Sequence, residues 1–179
     1  MTPDVQVLPF GTEPFDQLRE AIDFRQLSVR LFGRSVPQPR LVAWYGPCPY
    51  TYSGLTLPAA PMPAAVERLR ARVEELTGHR FNSVLANLYR DGSDSVSWHS
   101  DDEPLFGSDP TIASLSFGQA RRFLLRSKRC RAEKIEFDLV DGSLLLMGSG
   151  VQADWEHAVP KTKLSVGPRI NLTFRHALD

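Results

Sequence analysis

Cysteine is scarce in this sequence, long apolar runs are absent, and neither sign of charge prevails. The only cysteines, Cys48 and Cys130, do not form a CxxC pair, which argues against a disulfide scaffold and favours reduced thiols. No apolar run reaches the roughly 18 residues that a membrane-spanning helix needs, and residues 1–10 lack the basic start and apolar stretch of a signal peptide. We therefore expect a cytoplasmic protein that does not contact a membrane.

The charges balance, because 21 Lys and Arg residues face 21 Asp and Glu residues. Zero net charge argues against a protein that coats nucleic acid through bulk positive charge. A hydrophobic content of 42% and a charged content of 23% argue against wholesale disorder, collagen and coiled coils. The length of 179 residues suits a single domain over 1–179.

Helical patterns are confined to two segments in the first half of the chain. Thr12 can cap a first helix that carries Pro14 in its first turn. A second helix is predicted over 63–77, with Gly78 as its stop. Its apolar face comprises Val66, Leu69, Val73 and Leu76.

Strand patterns dominate the rest of the sequence. Residues 33–63 are punctuated by Pro and Gly and are expected to be mostly irregular, apart from a strand at 40–45. From Ser83 onward, short alternating or apolar segments follow one another, namely SVLANLYR, SVSWHSD, TIASLSFG, RRFLLRS, KIEFDLV, SLLLMG and RINLTFR. Many short strands predict an antiparallel sandwich or barrel, so we expect an α+β, mainly β fold with both helices packed on one face.

Polar side chains share one face of the last predicted strand, residues 169–175, because alternation sends its apolar residues to the other face. The polar face carries Arg169, Asn171, Thr173 and Arg175. Guanidinium groups bind carboxylates and phosphates bidentately, so this face predicts an anion site; a solvated surface strand is the alternative. The strand at 83–90 adds Asn87 and Tyr89, which can either bond a carboxylate or be satisfied by backbone in the core.

A metal site is suggested by the segment WHSD, in which an extended backbone puts His99 and Asp101 on the same side. His157, after the run SLLLMG, is a suitable third ligand. Two His and one carboxylate form the facial triad of non-haem iron(II) oxygenases, which leaves open positions for a co-substrate and oxygen. An HxD pair on its own is more often a surface hydrogen bond, and we treat His79 and His176 as ordinary histidines.

With these motifs, the sequence resembles the AlkB-type iron(II)- and 2-oxoglutarate-dependent dioxygenases, closest to the animal-type DNA and RNA repair branch. The matching segments are FGR at 32–34, PRLVAWYGPCPYTYSG at 39–54, NLYRDGSDSVSWHSDDEP at 87–104, IASLSFGQARRFLLR at 112–126, GSLLLMG at 142–148 and GPRINLTFR at 167–175. The resemblance implies a double-stranded β-helix, or jelly roll. It also implies a nucleotide-recognition region at about 28–60 and a catalytic region at about 83–176.

The resemblance further implies the roles of individual residues. Iron would be ligated by His99, Asp101 and His157. The co-substrate 2-oxoglutarate would be held by Asn87, Tyr89, Arg169, Asn171, Thr173 and Arg175, with Arg169 on the carboxylate remote from the metal. Contacts with the substrate base or strand would come from Phe32, Gly33, Arg34, Tyr50 and Asp102. Asp102 suits the cationic bases 1-methyladenine and 3-methylcytosine.

The activity that follows from the resemblance is oxidative demethylation of alkylated bases, using iron(II), O2 and 2-oxoglutarate and releasing formaldehyde, succinate and CO2. The expected partners are alkylated single- or double-stranded DNA, with RNA left open, and the expected state is a monomer. Alternatives are a 2-oxoglutarate-dependent hydroxylase or demethylase of a protein or small molecule, a zinc hydrolase, and a binding module without activity. The intact triad argues against the binding module, and the arginine cradle argues against the hydrolase.

Zero net charge conceals two oppositely charged segments. Residues 91–109 carry six acids and no Lys or Arg, as suits a metal site and a pocket for a cationic base. Residues 121–134 carry seven basic groups against one acid. A solvated face is the usual meaning of such a run, but beside a base-processing site we interpret it as a strip that contacts phosphates.

Overall fold

The computed structural model describes residues 2–31 and 34–178. Phe32 and Gly33, to which the resemblance gives base contacts, lie outside the described residues. The helices are α1 (Phe15–Ala21), α2 (Ala64–Thr77) and α3 (Val151–Asp154). The strands are β1 (Val5–Pro9), β2 (Ser28–Leu31), β3 (Arg34–Pro37), β4 (Leu41–Tyr45), β5 (Tyr50–Tyr52), β6 (Leu55–Leu57), β7 (Ser83–Tyr89), β8 (Val96–His99), β9 (Ile112–Gly118), β10 (Arg121–Ser127), β11 (Lys134–Leu139), β12 (Ser143–Met147), β13 (Trp155–Val159) and β14 (Arg169–Arg175).

The larger sheet has six antiparallel strands in the order β1-β12-β9-β14-β7-β4. Strand β14 lies between β9 and β7, with Arg169 opposite Tyr89 and Asn171 opposite Asn87. Every residue of β14 is buried, so both its apolar and its polar face are covered. The alternative of a solvated surface strand is therefore wrong, and the polar residues of β14 need partners inside the protein.

The smaller sheet has four antiparallel strands in the order β11-β10-β13-β8, and β13 pairs with β8 so that His157 lies opposite His99. Apolar side chains of the two sheets pack in one core, which includes Ile112, Leu145 and Met147 from the larger sheet and Phe123, Leu125 and Val159 from the smaller. Two antiparallel sheets packed on each other in this way agree with the predicted jelly roll.

Both predicted helices pack on the outer face of the larger sheet. One core joins Leu18 of α1 and Val66, Leu69 and Val73 of α2 to Ile170, Leu172 and Phe174 of β14. Helix α2 ends as predicted at Gly78, whose φ of 73° is the left-handed conformation that glycine tolerates best. The predicted packing of the helices on one face is thus confirmed.

Two details of the helix predictions were wrong. No side-chain hydrogen bond caps α1, because Pro14, rather than Thr12, occupies the capping position in an extended conformation. Leu76 was placed on the apolar face of α2 but is 47% exposed. It lies in the last turn, and the core contributed by α2 does not continue past Val73.

Residues 33–63 are more regular than predicted. Strand β4 confirms the strand expected at 40–45, but β2 and β3 form one hairpin and β5 and β6 form another. Strands β1 and β13 were not predicted. Both cysteines are free. Among the described residues, no helix is both long enough and apolar enough to cross a membrane.

Candidate active site

A cavity of about 620 Å³ opens between the two sheets and the two hairpins. Its walls combine ten of the residues singled out from the sequence, namely Tyr50, Asn87, Tyr89, His99, Asp101, His157, Arg169, Asn171, Thr173 and Arg175. The polar face of β14 forms one wall, and β8 and β13 form the wall opposite. The fold thus brings residues far apart in sequence into one site, as the patterns predicted.

His99, Asp101 and His157 lie close enough to share one metal ion. Their candidate ligand atoms all fall within 4.8 Å of one another. Asp101 Oδ1 is 3.5 Å from His99 Nε2, and Asp101 Oδ2 is 3.9 Å from His157 Nε2. The pairing of β13 with β8 explains this proximity, because it sets the two imidazoles side by side with ring centroids 4.2 Å apart. Two imidazoles and one carboxylate on one side of an ion suit iron(II).

Neighbouring groups hold these three side chains in place. His99 Nδ1 lies 2.8 Å from the carbonyl oxygen of Ser97, which leaves Nε2 for a metal. The amide of Asp101 donates to Gln152 Oε1 at 3.0 Å. Arg175 donates to Asp101 Oδ2 through Nη2 at 2.7 Å and through Nε at 3.2 Å. Gln152 is a buried residue of α3, and no pattern in the sequence marked it.

The protonation states also suit a metal. Burial alone would raise the pKa of Asp101, but the positive charge of Arg175 and the two imidazoles hold that pKa well below its usual range. Burial, together with the neighbouring His99, lowers the pKa of His157 to about 3. At neutral pH, therefore, Asp101 is ionised and His157 is neutral, which are the forms that bind metal.

Arg169 lies at the other end of β14 from Arg175, and no carboxylate of the described residues pairs with it. Its Nη2 donates to Ser116 Oγ at 2.9 Å, and its Cζ lies 5.2 Å from the ring centroid of Tyr89. Its Nε and Nη1 are buried and have no hydrogen-bond partner among residues 2–31 and 34–178. Burial lowers its pKa. These two donors and the uncompensated charge fit one carboxylate of a ligand in the cavity.

Hydrogen bonds order the polar wall between the two arginines. Thr173 Oγ1 donates to Asn171 Oδ1 at 3.0 Å, and Asn171 Nδ2 donates to Ser114 Oγ at 2.8 Å. Asn87 Oδ1 accepts from Arg40 Nε at 2.8 Å. Arg40 also lines the cavity, although nothing in the sequence pattern distinguished it.

Aromatic rings and a second acid form the wall that faces the hairpins. Tyr50 is buried against Trp44 and Tyr52, with ring centroids 4.7 and 5.1 Å away. Burial raises the pKa of Tyr50 far above its usual value, and its hydroxyl donates to Glu103 Oε1 at 2.7 Å. Glu103 Oε2 is also buried, and within the described part of the chain it has no hydrogen-bond partner. The run of three acids from Asp101 to Glu103 was the available signal for Glu103.

Two of the residues given to the substrate do not line the cavity. The side chain of Asp102 is 64% exposed and lies 3.5 Å from Lys128 Nζ. The chain alternates at this point, so Asp101 and Glu103 line the cavity while Asp102 faces away. Arg34 lies on the exposed strand β3. Of the two acids that follow Asp101, Glu103 is the one that lines the cavity.

The basic segment 121–134 is less available to phosphates than its sequence indicated. Arg121 is buried and donates to backbone carbonyls. Arg126 is 2.6 Å from Glu156 and lies over the ring of Trp98. Both side chains already have partners within the protein. The prediction that the whole segment contacts phosphates is therefore wrong for Arg121 and Arg126.

Comparison with known proteins agrees with this geometry. The family model of the 2OG-Fe(II) oxygenase superfamily matches residues 12–175. Alpha-ketoglutarate-dependent dioxygenase alkB homolog 3 of Mus musculus is 52% identical over 149 residues, which are 78% of this chain and 52% of that protein. The Homo sapiens protein of that name is 47% identical over 169 residues, which are 89% of this chain and 59% of that protein.

More distant relatives cover more of their own length. The DNA oxidative demethylase ALKBH2 of Mus musculus is 39% identical over 176 residues, which are 92% of this chain and 74% of that protein. A solved structure, that of OsALKBH1, shares the fold with a TM-score of 0.71 at 15% identity and covers 98% of both chains. The chain spans between 50% and 59% of the alkB homolog 3 relatives. On the family match and these identities, the chain belongs to the AlkB-like proteins of the 2OG-Fe(II) oxygenase superfamily.

Proposed function

We propose that this chain removes methyl groups oxidatively from alkylated bases in nucleic acid, with iron(II), O2 and 2-oxoglutarate. The observation that carries the proposal is one cavity that holds both a His-Asp-His cluster and the unpaired donors of Arg169. The names of the relatives support the same activity, since they are called alpha-ketoglutarate-dependent dioxygenases and DNA oxidative demethylases.

In this proposal His99, Asp101 and His157 hold the iron, which supplies oxygen activation when bound. Arg175 keeps Asp101 ionised and oriented through its two hydrogen bonds. Arg169 binds the remote carboxylate of 2-oxoglutarate, because its Nε and Nη1 are the buried donors left over at that end.

The opposite wall receives the base. A base inside a duplex cannot reach a buried metal, so it must enter from a single strand or be flipped out and packed against ring faces. Tyr50 and Tyr52 line this wall as stacked rings, and Glu103 offers a carboxylate with one oxygen unsatisfied by the described residues. That charge favours 1-methyladenine and 3-methylcytosine, which are cationic.

The substrates of this proposal are single-stranded DNA, duplex DNA and RNA. One copy of the chain carries all the cavity residues just described, so we also propose that it acts as a monomer. No protein nucleophile takes part, because the leaving methyl group departs as formaldehyde after oxidation.

The test is formaldehyde release from an oligonucleotide that contains 3-methylcytosine, with iron(II), ascorbate and 2-oxoglutarate. We expect release by the wild type and none by His99→Ala, with His79→Ala as the matched control, since His79 is exposed outside the cavity. Release that persists without 2-oxoglutarate, or in His99→Ala, would overturn the proposal. Parallel assays on single-stranded DNA, duplex DNA and RNA rank the three substrates.

A further inference from the structure

A third buried arginine, Arg121 of β10, lies behind the wall of the cavity and is not part of its lining. Its Nη1 donates to the carbonyl of Asp91 at 3.0 Å, and its Nη2 donates to the carbonyls of Asp94 and Pro160 at 2.8 Å each. The guanidinium therefore joins the loop after β7 to the segment after β13. These segments also bond each other, because Thr162 N donates to the carbonyl of Gly92 at 2.9 Å.

The charge of Arg121 is held by neutral groups. Within residues 2–31 and 34–178 it forms no salt bridge. The carboxylate of Asp94 is taken up by Arg90, through two hydrogen bonds of 2.8 Å each. Burial lowers the pKa of Arg121. Carbonyl oxygens satisfy donors without cancelling a charge. The carboxylates of Asp94 and Asp91 act on the guanidinium without forming a salt bridge to it, so part of its field extends to its surroundings.

The field of Arg121 reaches the cavity at Tyr89. The Cζ of Arg121 lies 5.6 Å from the centroid of the Tyr89 ring, and the Cζ of Arg169 lies 5.2 Å from the same centroid. Tyr89 lines the cavity and is thus the group through which Arg121 touches it. Two buried cations without a carboxylate between them repel each other, and an anion bound at Arg169 relieves that repulsion.

We propose that Arg121 is a positioning residue for the co-substrate. Arg121 fixes Tyr89 and adds a second positive charge, and this charge selects an oxo acid with a carboxylate at its far end. The inference rests on the proposed function. It predicts that Arg121 distinguishes 2-oxoglutarate from 2-oxopentanoate, which has the same five carbons but no remote carboxylate. A purely structural role would weaken both ligands equally.

The test measures binding of both oxo acids by calorimetry to protein loaded with Mn(II) in place of iron(II). We expect Arg121→Gln, which keeps an amide donor and loses the charge, to raise the Kd for 2-oxoglutarate about tenfold and the Kd for 2-oxopentanoate less than about twofold. Arg121→Lys keeps the charge and should stay within about threefold of wild type. Arg122→Gln is the matched control, because Arg122 is the adjacent residue and is exposed. In turnover, Arg121→Gln should raise KM for 2-oxoglutarate and leave kcat nearly unchanged.

Each outcome decides between two interpretations. Equal weakening of both ligands in Arg121→Gln, or no weakening, overturns the role of Arg121. If Arg121→Gln does not fold, Arg121→Lys still decides, since loss of the preference for 2-oxoglutarate in that variant also overturns it. A wild type that does not bind 2-oxoglutarate refutes the proposed function itself, whereas a wild-type preference kept in every variant refutes this inference alone.

Discussion

Two arginines on the polar face of β14 are equally buried but have opposite electrostatic surroundings. Arg175 donates two hydrogen bonds to Asp101, and although burial acts to lower its pKa, the charge of Asp101 raises that pKa above its usual value. Among the described residues, Arg169 contacts the hydroxyl of Ser116 and the ring of Tyr89, and burial lowers its pKa. Within the part of the chain that the structure describes, a counter-ion is present at one end of the strand and absent at the other.

This difference separates a structural charge from a binding charge. A buried cation with a built-in carboxylate is stable without a ligand, and it fixes the carboxylate that a metal needs. A buried cation without a carboxylate raises the free energy of the folded protein until an anion binds. Binding relieves this destabilisation and thereby increases the affinity for the anion. The two arginines should therefore respond in opposite ways when they, or their partners, are changed.

The largest effect is expected when Arg175 loses its partner. Asp101→Asn should lower the free energy of unfolding of the metal-free protein by about 3 kcal/mol, because it leaves a buried charge uncompensated, and should abolish activity. The double variant Asp101→Asn with Arg175→Met should regain much of that stability without regaining activity. Urea unfolding of the single and double variants checks both points. Equal stability of Asp101→Asn and wild type would contradict the conclusion that the Arg175–Asp101 pair stabilises the metal-free protein.

Arg169→Met should have the opposite profile. The free protein should keep its melting temperature or gain slightly, because an uncompensated buried charge is removed. KM for 2-oxoglutarate should rise about a hundredfold, as a charge-assisted bidentate contact is lost. Thermal unfolding and steady-state kinetics on the same preparation provide the measurements. A strongly destabilised Arg169→Met with an unchanged KM would reverse the roles of the two arginines.

A smaller effect is expected at Glu103, a charge of opposite sign in the same cavity, whose Oε2 has no hydrogen-bond partner among the described residues. Glu103→Gln should raise KM for an oligonucleotide containing 3-methylcytosine about tenfold and leave KM for 2-oxoglutarate unchanged, because in the proposed function this carboxylate attracts the cationic base and not the co-substrate. Asp102→Gln is the matched control, since Asp102 is adjacent but faces away from the cavity. A larger effect in Asp102→Gln than in Glu103→Gln would restore the role first given to Asp102.

The sequence revealed both arginines but not the difference between them. Strand alternation is a local property, so it placed Arg169 and Arg175 on one face with Asn171 and Thr173. Whether each guanidinium meets a carboxylate depends on β8 and β14 coming together across the cavity. That contact joins residues 74 positions apart and leaves no trace in either local pattern.

The remaining differences have the same origin. Gln152 supports Asp101 from a four-residue helix, and Arg40 donates to Asn87 from the residue just before β4, so neither position follows from its own segment. Charge counts in the segment 121–134 could not tell that Arg121 would be buried, because burial follows from the packing of loops around it. The local sequence pattern predicted which side chains could bind a metal or an anion. Tertiary contacts determine which of them already have hydrogen-bond or ion-pair partners within the protein.

The smallest effect is expected at Glu74, a paired charge outside the cavity. The prediction tests whether such a pair stabilises the protein without contributing to its activity. Burial alone would raise the pKa of Glu74, but hydrogen bonds from the amide of Phe81 and from Arg80 and Arg70 lower it. A carboxylate whose pKa is lower in the folded than in the unfolded state adds stability above about pH 4.3, and that stability is lost as the pH falls through the folded pKa.

Glu74→Gln should therefore reduce the free energy of unfolding at pH 7 by about 1 to 2 kcal/mol and by less at pH 3.5, with kcat and both KM values unchanged. Glu75→Gln is the matched control, since the neighbouring Glu75 is exposed. Urea unfolding at the two pH values provides the measurement. Two outcomes would contradict this prediction: a change in KM for 2-oxoglutarate, or a loss of stability that grows as the pH falls. Either would show that Glu74, a paired charge outside the cavity, does not stabilise the protein in the way expected of the Arg175–Asp101 pair.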